Sequence, residues 1–468
     1  MIRSRFLSVL LVLLLGPFFS FNATAEKYAL KGGRLIDGYG GPPLANSIIL
    51  VENDTIKAVG QVGQLEIPEG YKIVSTEGMD VLPGLWESHA HLMLNGHADY
   101  SHWQPTYRER QVDEIMPASA VQLLLAGVTS ARDLGANLED SIEVKRQIEK
   151  GEIAGPNLFV SGPFLQYEPY PGSEHYRWGV KTVREAKQKV RQLAKAGVDM
   201  IKLVDQDQME LEVAQAIVDT AHENNLKVIG HSHRPEEIRV GLKIGVDNFE
   251  HTGLTTAPEY PEDVMKLLKE RTATGRVAGG PLFWTPTVEG LYQYPELIKN
   301  PERLDNTCWH RGLKPDTIKD IKASLTDPGK LDYMQLTPLR QPTLKRKIAQ
   351  LNEAGVVFLV GTDSGIPTKF HCQSTWNEMA VLTNDMNMPA MNIIRSATYW
   401  PAVMMGVQDR LGSITAGKQA DIIAVEGDVL RYMNLISDVD FVMKDGVIYR
   451  QDGQVNEEKL APKQRLKP

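Results

Sequence analysis

Eight short apolar runs alternate with amphipathic segments through the middle of this 468-residue chain. The runs are residues 81–89, 127–133, 157–162, 199–204, 227–231, 247–251, 283–288 and 356–363. Helical patterns lie between them, for example at 183–196, 210–223 and 343–354. Apolar strands that alternate with helices are typical of βα units around a parallel sheet, and eight such units match a (β/α)₈ TIM barrel. An open doubly wound sheet would carry a glycine-rich phosphate loop after its first strand, and none is present.

The two ends of the chain have a different pattern, with short strand-like pieces separated by turn residues. These pieces lie within residues 26–80 and again within 405–455. Two such segments can pair into one unit only if the chain between them leaves and returns as a compact body. We therefore predict an α/β protein with a TIM barrel at residues 81–404. A small β-sandwich domain would combine residues 26–80 with residues 405–468, which include the C-terminal tail.

The first 25 residues have the pattern of an export signal. Arg3 and Arg5 precede an apolar run at 6–21, and Ala23 and Ala25 provide small residues at the spacing that a signal peptidase needs. A retained transmembrane anchor is the alternative, because the run is nearly long enough to span a bilayer. We predict that residues 1–25 are a cleaved signal peptide, that no stable membrane span remains, and that the mature protein is periplasmic or secreted.

Charge and cysteine content restrict the partners and the compartment. The formal net charge of −8 and the pI of about 5.8 leave no basic field for a nucleic-acid backbone, so we expect a small-molecule substrate and no nucleic acid. Cys308 and Cys372 are compatible with an oxidising compartment but are too few for a disulfide scaffold. The sequence leaves open one disulfide or two free thiols, and it leaves the oligomeric state open, with a homo-oligomer among the alternatives.

Histidine and aspartate residues lie at the ends of several runs. His89 and His91, two residues apart, point to the same side of a strand. His231 and His251 end the fifth and sixth runs, and Asp363 ends the eighth. A parallel barrel brings the carboxyl ends of all its strands to one rim, where such side chains can meet. The pattern therefore predicts a metal site at that rim.

Lys202 lies inside the fourth run without an acidic neighbour in the sequence. A lysine in an apolar run ordinarily extends its amine toward solvent. A buried lysine instead has a lowered pKa and is partly neutral, and a neutral amine can capture carbon dioxide as a carbamate. Such a carbamate can bridge two cations. Carboxylated Lys202 is one hypothesis, and a mononuclear site beside an ordinary amine is the other.

Five motifs surround these residues: P-G-L-x-x-x-H-x-H at 83–91, I-K-L at 201–203, G-H-S at 230–232, F-E-H-T at 249–252 and G-T-D-S-G at 361–365. Flanking motifs at 36–38, 56–60, 412–414 and 417–421 extend the set to nearly the whole mature chain. The set resembles the amidohydrolase superfamily, in particular its prolidase-like and imidazolonepropionase-like metal-dependent hydrolases.

The resemblance implies a barrel with a β-sandwich and a binuclear divalent site, usually zinc. The implied metal ligands are His89, His91, carboxylated Lys202, His231, His251 and Asp363. The lysine would bridge the two ions, and Asp363 would also be the catalytic residue that carries a proton. The implied reaction is hydrolysis of an amide or peptide-like C–N bond through a metal-bound hydroxide, with a dipeptide or an N-acyl amino acid as substrate.

Two positions depart from the family pattern. Glu87 stands where the family usually has an aspartate, and His233, followed by Arg234, stands where an aromatic residue is often found. His233 shares a strand face with His231 and could compete for the metal. His231 is favoured because it ends the apolar run and matches the family. Arg234 with His233 is the predicted binding site for a substrate carboxylate.

Two other functions remain as alternatives. The first is a mononuclear cyclic-amide or lactone hydrolase in which Lys202 is an ordinary amine. The second is a non-catalytic metal-binding module, which is disfavoured because a closed coordination shell would not need the acid at Asp363. Arg132 and Asp133, which end the second run, are interpreted either as an ion pair near the rim or as a structural clamp, and the clamp is favoured. The other histidines are interpreted as surface or core residues, namely His97, His102, His175, His222, His310 and His371. Four loop aromatics are assigned either to a substrate pocket or to packing, namely Tyr167, Tyr170, Trp178 and Tyr292.

Overall fold

The computed structural model describes residues 26–278, 280–326 and 331–465, so the predicted signal peptide at 1–25 lies outside the described residues. The strands are β1 (Lys27–Lys31), β2 (Arg34–Leu35), β3 (Ser47–Glu52), β4 (Thr55–Gln61), β5 (Lys72–Ser75), β6 (Met79–Pro83), β7 (Leu85–Ala90), β8 (Val128–Asp133), β9 (Asn157–Val160), β10 (Phe164–Gln166), β11 (Arg177–Gly179), β12 (Met200–Leu203), β13 (Lys227–His231), β14 (Asn248–Glu250), β15 (Phe283–Thr285), β16 (Val357–Phe358), β17 (Ile422–Glu426), β18 (Val439–Lys444), β19 (Val447–Gln451) and β20 (Gln454–Val455).

The α-helices are α1 (Tyr100–Thr106), α2 (Met116–Leu125), α3 (Leu138–Glu149), α4 (Val183–Ala196), α5 (Leu211–Glu223), α6 (Pro235–Ile244), α7 (Glu262–Ala278), α8 (Gly290–Lys299), α9 (Pro315–Ser324), α10 (Asp332–Glu353), α11 (Ser374–Asn384), α12 (Ala390–Ser396) and α13 (Tyr399–Met404). Over the three described ranges, no helix combines the length and the apolar character that crossing a bilayer requires. Together the elements form an α/β fold, as predicted.

Strands from the two ends of the chain meet in one sheet. Its order is β2-β6-β17-β18-β19-β20, and β17 pairs antiparallel with β6. A second sheet has the order β4-β3-β1-β5. A single apolar cluster contains side chains from both sheets, including Leu30, Ile49, Ile422 and Phe441. The first and last segments of the described chain therefore share a core, although some 340 residues separate β6 from β17 in sequence.

The first predicted run, residues 81–89, is divided between two sheets. Its beginning belongs to β6, which pairs with β17, and its end belongs to β7, which pairs with β8. Gly84 lies at the division, and its N–H donates to the Asp421 carbonyl at 2.9 Å. A Cβ at this position would clash with the side chain of Thr129. Glycine therefore allows the chain to pass from one sheet to the other at close range.

Two parallel sheets make up the middle of the chain, with the orders β7-β8-β9 and β11-β10-β12-β13-β14-β15-β16. All of their pairings are parallel. Backbone hydrogen bonds also join both edge strands of the three-stranded sheet, β7 and β9, to the larger sheet. Ser88 N donates to Val360 O at 3.0 Å, and Asp199 N donates to Val160 O at 2.8 Å. Each of the eight predicted runs thus contributes a parallel strand, and the carboxyl ends of these strands lie on one side.

Three local features differ from the sequence prediction. Strands β10 and β11, which follow β9, were not predicted, because each has only three residues. The last run is regular over β16 alone. Helix α10 begins eleven residues before the predicted start at 343 and contains Pro338 and Pro342. Proline normally interrupts a helix, so the sequence pattern indicated only its second half.

A disulfide joins Cys308 to Cys372, with their Cα atoms 6.0 Å apart. It links a 3₁₀ turn at Thr307–His310 to the chain just before α11, across a sequence separation of 64 residues that includes α9 and α10. Of the two alternatives left open by the sequence, the structure contains the disulfide.

Replacing both cysteines by serine is expected to lower the free energy of unfolding by about 2–4 kcal/mol, because the cross-link restricts the unfolded chain. Urea denaturation of the wild type and the double variant measures the difference. Reductant should shift the wild-type midpoint toward that of the variant and leave the variant unchanged. Equal midpoints for the oxidised wild type and the variant would contradict this prediction.

Candidate active site

The six predicted metal ligands lie at the carboxyl ends of parallel strands or just beyond them. His89 is in β7, Lys202 is in β12, and His231 is the last residue of β13. His251 directly follows β14, and Asp363 lies in the extended segment beyond β16. These residues, together with His91 and His233, line one cavity of about 940 Å³. The topology therefore brings the predicted residues to a common wall.

A first group of candidate ligand atoms surrounds the carboxylate of Asp363. Its Oδ1 lies 3.4 Å from His89 Nε2 and 3.1 Å from His91 Nε2. One ligand atom from each of His89, His251 and Asp363 lies within 4.8 Å of the others. Burial alone would raise the pKa of Asp363, but His89 and His91 outweigh it and hold that pKa well below its usual range. Asp363 is therefore ionised at neutral pH.

A second group consists of His231, His233 and His251, whose ligand atoms also lie within 4.8 Å of one another. The ring centroids of His231 and His233 are 4.1 Å apart, and that of His251 lies 4.6 Å from His231. Nδ1 of His231 and of His233 and Nε2 of His251 are buried without a hydrogen-bond partner among the described residues. Both His231 and His233 are thus placed to bind a metal, and the choice of His231 stays a prediction.

Lys202 is buried, and its Nζ has no hydrogen-bond partner in the described chain. Burial lowers the pKa of Lys202 to about 8, against the opposing attraction of Glu250 and Asp363. An uncompensated buried amine is costly unless another group binds there. Unpartnered imidazole nitrogens, a carboxylate and this amine fit a divalent ion that prefers nitrogen and oxygen ligands, as zinc does.

Buried polar groups behind the cavity wall orient His89. Its Nδ1 donates to Glu250 Oε2 at 2.7 Å, which leaves Nε2 facing the cavity group. Arg132 Nη2 donates to Glu250 Oε1 at 2.9 Å, and Arg132 Nε donates to Ser88 O at 2.6 Å. Burial raises the pKa of Glu250, but His89 and Arg132 outweigh burial and hold it below its usual value. The interpretation of Arg132 as a structural clamp is confirmed, and Glu250 is a positioning residue to which the sequence analysis gave no role.

Glu87 holds two ligand-bearing segments together. One of its carboxylate oxygens accepts from the N–H groups of His89 and Thr362, at 2.9 and 2.8 Å. The other accepts from the hydroxyls of Thr362 and Thr375, at 2.9 and 2.7 Å. Thr362 precedes Asp363, so the glutamate at this position connects β7 to the segment that carries the predicted catalytic aspartate.

Two of the predicted ligands have left-handed backbone conformations, with φ of 77° at His251 and 66° at Asp363. Such conformations cost about 1–3 kcal/mol in residues other than glycine and concentrate at functional sites. Here the backbone N–H of His251 donates to Thr285 O and that of Asp363 donates to His89 O, both at 2.7 Å. These hydrogen bonds fix the two residues against the neighbouring strands.

Arg234 lines the cavity, as the sequence analysis expected of a substrate-binding residue. Its guanidinium is already paired, however, with Asp205 at 2.8 Å and with Asp207 at 2.8 and 3.0 Å. These hydrogen bonds and the attraction of Glu237 raise the pKa of Arg234 in spite of burial. The charge of Arg234 is therefore neutralised by residues of its own chain, for which the sequence gave no indication.

The four aromatics that were predicted in loops divide between the cavity and the core. Tyr170 lines the cavity, whereas Tyr167, Trp178 and Tyr292 pack against the main apolar cluster. The loop prediction was wrong for Trp178, which belongs to β11, and for Tyr292, which belongs to α8. Several side chains that line the cavity were not predicted from the sequence, namely Phe164, Tyr176, Tyr294 and Arg340. They come from β10, the loop before β11, α8 and α10. No local pattern marked them, because only tertiary packing brings these segments together.

Most of the remaining histidines contact core or surface groups, as interpreted. His371 is fully buried between Ser364 Oγ and Leu94 O, and His102 Nε2 lies 2.9 Å from Asp320 Oδ2. His175 differs because it lines the cavity, where its Nε2 lies 3.1 Å from Gln104 Oε1.

A match to the amidohydrolase family spans residues 81–450. The chain belongs to the amidohydrolase family, as the sequence motifs indicated. Ochratoxinase from Aspergillus niger is 24% identical to it over 483 aligned residues, which cover 92% of this chain and 88% of that protein.

Two solved structures extend the similarity to the fold. A Xaa-Pro dipeptidase with bound methionine in its active site superposes with a TM-score of 0.67, 24% identity and coverage of 91% of this chain and 100% of that one. Phenylurea hydrolase B superposes with a TM-score of 0.73, 19% identity and coverage of 95% and 100%. Family membership supports a hydrolase that acts on carbon–nitrogen bonds.

Proposed function

We propose that this protein is an exported, metal-dependent amidohydrolase that cleaves an amide or peptide-like C–N bond in a dipeptide or an N-acyl amino acid. The observation that carries the proposal is the meeting of His89, His91, Lys202, His231, His251 and Asp363 at one cavity wall. The proposal also takes the two parallel sheets as one closed (β/α)₈ barrel and the two terminal sheets as a β-sandwich. The hydrogen bonds at both sheet edges and the shared terminal core support that architecture.

The proposed centre holds two divalent ions, zinc by family resemblance. His89, His91 and Asp363 would hold one ion, and His231 and His251 the other, with carboxylated Lys202 between them. When bound, such ions lower the pKa of water toward neutrality and polarise a substrate carbonyl. The unpartnered buried nitrogens at the site support this donor set.

Asp363 would carry the proton. His89 and His91 hold its pKa low, so the carboxylate is ionised and has an unprotonated oxygen available to the attacking water. It would then deliver that proton to the departing nitrogen, since an amide nitrogen leaves poorly as an anion. The hydrogen bond from its own N–H to His89 O fixes the Asp363 backbone beside β7, and its carboxylate contacts His89 and His91.

The carboxylation of Lys202 can be measured directly. Because only the neutral amine captures carbon dioxide, the fraction of protein with the added mass of one CO₂ should rise as pH increases through about 8. Lys202→Gln should lack this mass and bind fewer than two ions per chain. Lys347→Gln is the matched control, since Lys347 is also buried with a pKa lowered to about 8, but it donates to Thr255 O at 3.0 Å away from the site. Two ions per chain in Lys202→Gln would contradict the bridging role.

The function is tested by loading the purified protein with zinc or cobalt and supplying a panel of dipeptides and N-acyl amino acids. We expect release of free amine that stops when a chelator removes the metal. Hydrolysis of cyclic amides or lactones alone, with one ion per chain, would favour a mononuclear enzyme. No hydrolysis of any compound would favour a metal-binding module.

Export is supported by the signal-like pattern at residues 1–25 and by the disulfide. Sequencing the N-terminus of the mature protein tests it. The expected first residue is Glu26, and a chain that retains its initial residues after export would favour the membrane-anchor alternative.

A further inference from the structure

The cavity wall contains several cationic side chains, and most of them are already bound to other residues. Arg234 is paired with two aspartates. Arg177 donates to Gln166 Oε1 at 2.8 Å and lies over the Phe164 ring. Lys369 donates to Thr362 O at 2.6 Å and lies 3.6 Å from Glu289 Oε1. Arg234 and Lys369 are therefore held by acidic and carbonyl groups of the wall. Arg177 also has a buried Nε without an acceptor, but its guanidinium is held by the Gln166 amide and lies over the rings of Phe164, Tyr170 and Tyr176.

Arg340 on α10 has no such partner. Its guanidinium donates one hydrogen bond within the described chain, from Nη2 to Gly253 O at 2.9 Å. Its Nε is buried and has no acceptor, and no carboxylate of the described residues lies within ion-pair distance of it. A guanidinium that is partly removed from water without an anion is destabilised, and this partial burial lowers the pKa of Arg340. Arg340 thus has unused binding capacity for an anion at the cavity wall.

The hydrogen bond to Gly253 places Arg340 next to the candidate metal ligands. Gly253 lies two residues beyond His251 and has a φ of 88°. A Cβ at Gly253 would lie 3.0 Å from the carbonyl oxygen of His233, and Leu254 N donates to that same carbonyl at 3.1 Å. The guanidinium is therefore held by the segment that follows His251 and contacts the backbone of His233, on the same cavity as the metal group.

We propose that Arg340, and not Arg234, binds the free carboxylate of the substrate. The planar fork of arginine matches a carboxylate with two parallel hydrogen bonds. The substrates would then be N-acyl amino acids or dipeptides with an unblocked carboxylate, and the corresponding carboxamides would be poor substrates. This inference rests on the proposed function, because it assigns the substrate class of the same cavity.

The test compares each carboxylate compound with its carboxamide, for example N-benzoyl-L-phenylalanine with N-benzoyl-L-phenylalaninamide. Binding is measured by titration calorimetry with the metal-loaded Asp363→Asn variant. Values of kcat/KM are measured with protein that retains Asp363. We expect a preference for the carboxylate of about 10- to 100-fold, the usual effect of a charged hydrogen-bonded pair. Arg340→Gln should remove the preference by weakening the carboxylate member alone, and Arg340→Lys should retain part of it.

Several outcomes would overturn the proposal. If Arg340→Gln weakened binding and kcat/KM equally for the carboxylate and for its carboxamide, Arg340 would have a structural role through its hydrogen bond to Gly253. Loss of the preference in Arg234→Gln, with the preference intact in Arg340→Gln, would assign the carboxylate to Arg234. Absence of a preference in the wild type, or of binding by any carboxylate in the panel, would also exclude it. A carboxylate preference in binding that depends on Arg340, without hydrolysis, would instead support Arg340 and contradict the proposed function. Thermal unfolding of each variant verifies that it folds.

Discussion

Replacing Asp363 with asparagine is expected to lower kcat/KM by about 10²- to 10⁴-fold, the usual contribution of general acid–base catalysis. Asparagine preserves the size of the side chain and a potential ligand oxygen, but it cannot take a proton from water and pass it to nitrogen. The histidines and Lys202 remain, so the variant should retain bound metal. The measurement is steady-state hydrolysis of the best compound in the panel, together with metal content by elemental analysis.

The control for Asp363→Asn is Asp316→Asn. Asp316 is largely exposed, pairs with Arg110 at 2.8 Å and is not one of the residues that line the cavity. This variant should hydrolyse the substrate at the wild-type rate. Undiminished turnover in Asp363→Asn, with its metal in place, would exclude Asp363 as the proton carrier. Loss of both turnover and metal would show that Asp363 acts chiefly as a ligand.

Replacing Arg132 with methionine is expected to lower the free energy of unfolding by about 3–5 kcal/mol, because it leaves a buried carboxylate without its cation. Both partners are almost wholly inaccessible to solvent, at 1% for the Arg132 side chain and 0% for that of Glu250. The change also removes the donors to Ser88 O and Asn248 Oδ1. Since Glu250 orients His89, we further expect metal affinity to fall by about 10- to 100-fold.

Urea denaturation measures the stability of this variant, and metal titration measures its affinity. Arg146→Met is the matched control, because Arg146 pairs with Glu143 and Glu152 at the surface. Such exposed pairs contribute only about 0–1 kcal/mol. If Arg132→Met unfolded within about 1 kcal/mol of the wild type, the buried pair would contribute little to stability, and the positioning of His89 would need another explanation.

Local patterns in the sequence were sufficient for the family and for the α/β class. The paired histidines at one strand end and the aspartate that ends the last run are recognisable because strand side chains alternate and parallel strands end on one side. The structure places these residues around one cavity, and their roles as ligands stay predictions until metal binding is measured. The unpredicted β10 and β11 and the division at Gly84 depend instead on contacts between distant segments.

The sequence by itself determined which residue types end the parallel strands, because each apolar run and the residue at its end are neighbours along the chain. The tertiary structure decided which cations are available to a substrate. Arg234 follows a candidate ligand and was the natural prediction, yet Asp205 and Asp207 neutralise it. Arg340 lies in a helix with no motif, yet packing half-buries it at the cavity wall, with its Nε inaccessible and no acid beside it. The physical reason is that the ability of a charged side chain to bind a substrate ion depends on its neighbours in space. The tertiary structure, more than the order of residues along the chain, determines those neighbours.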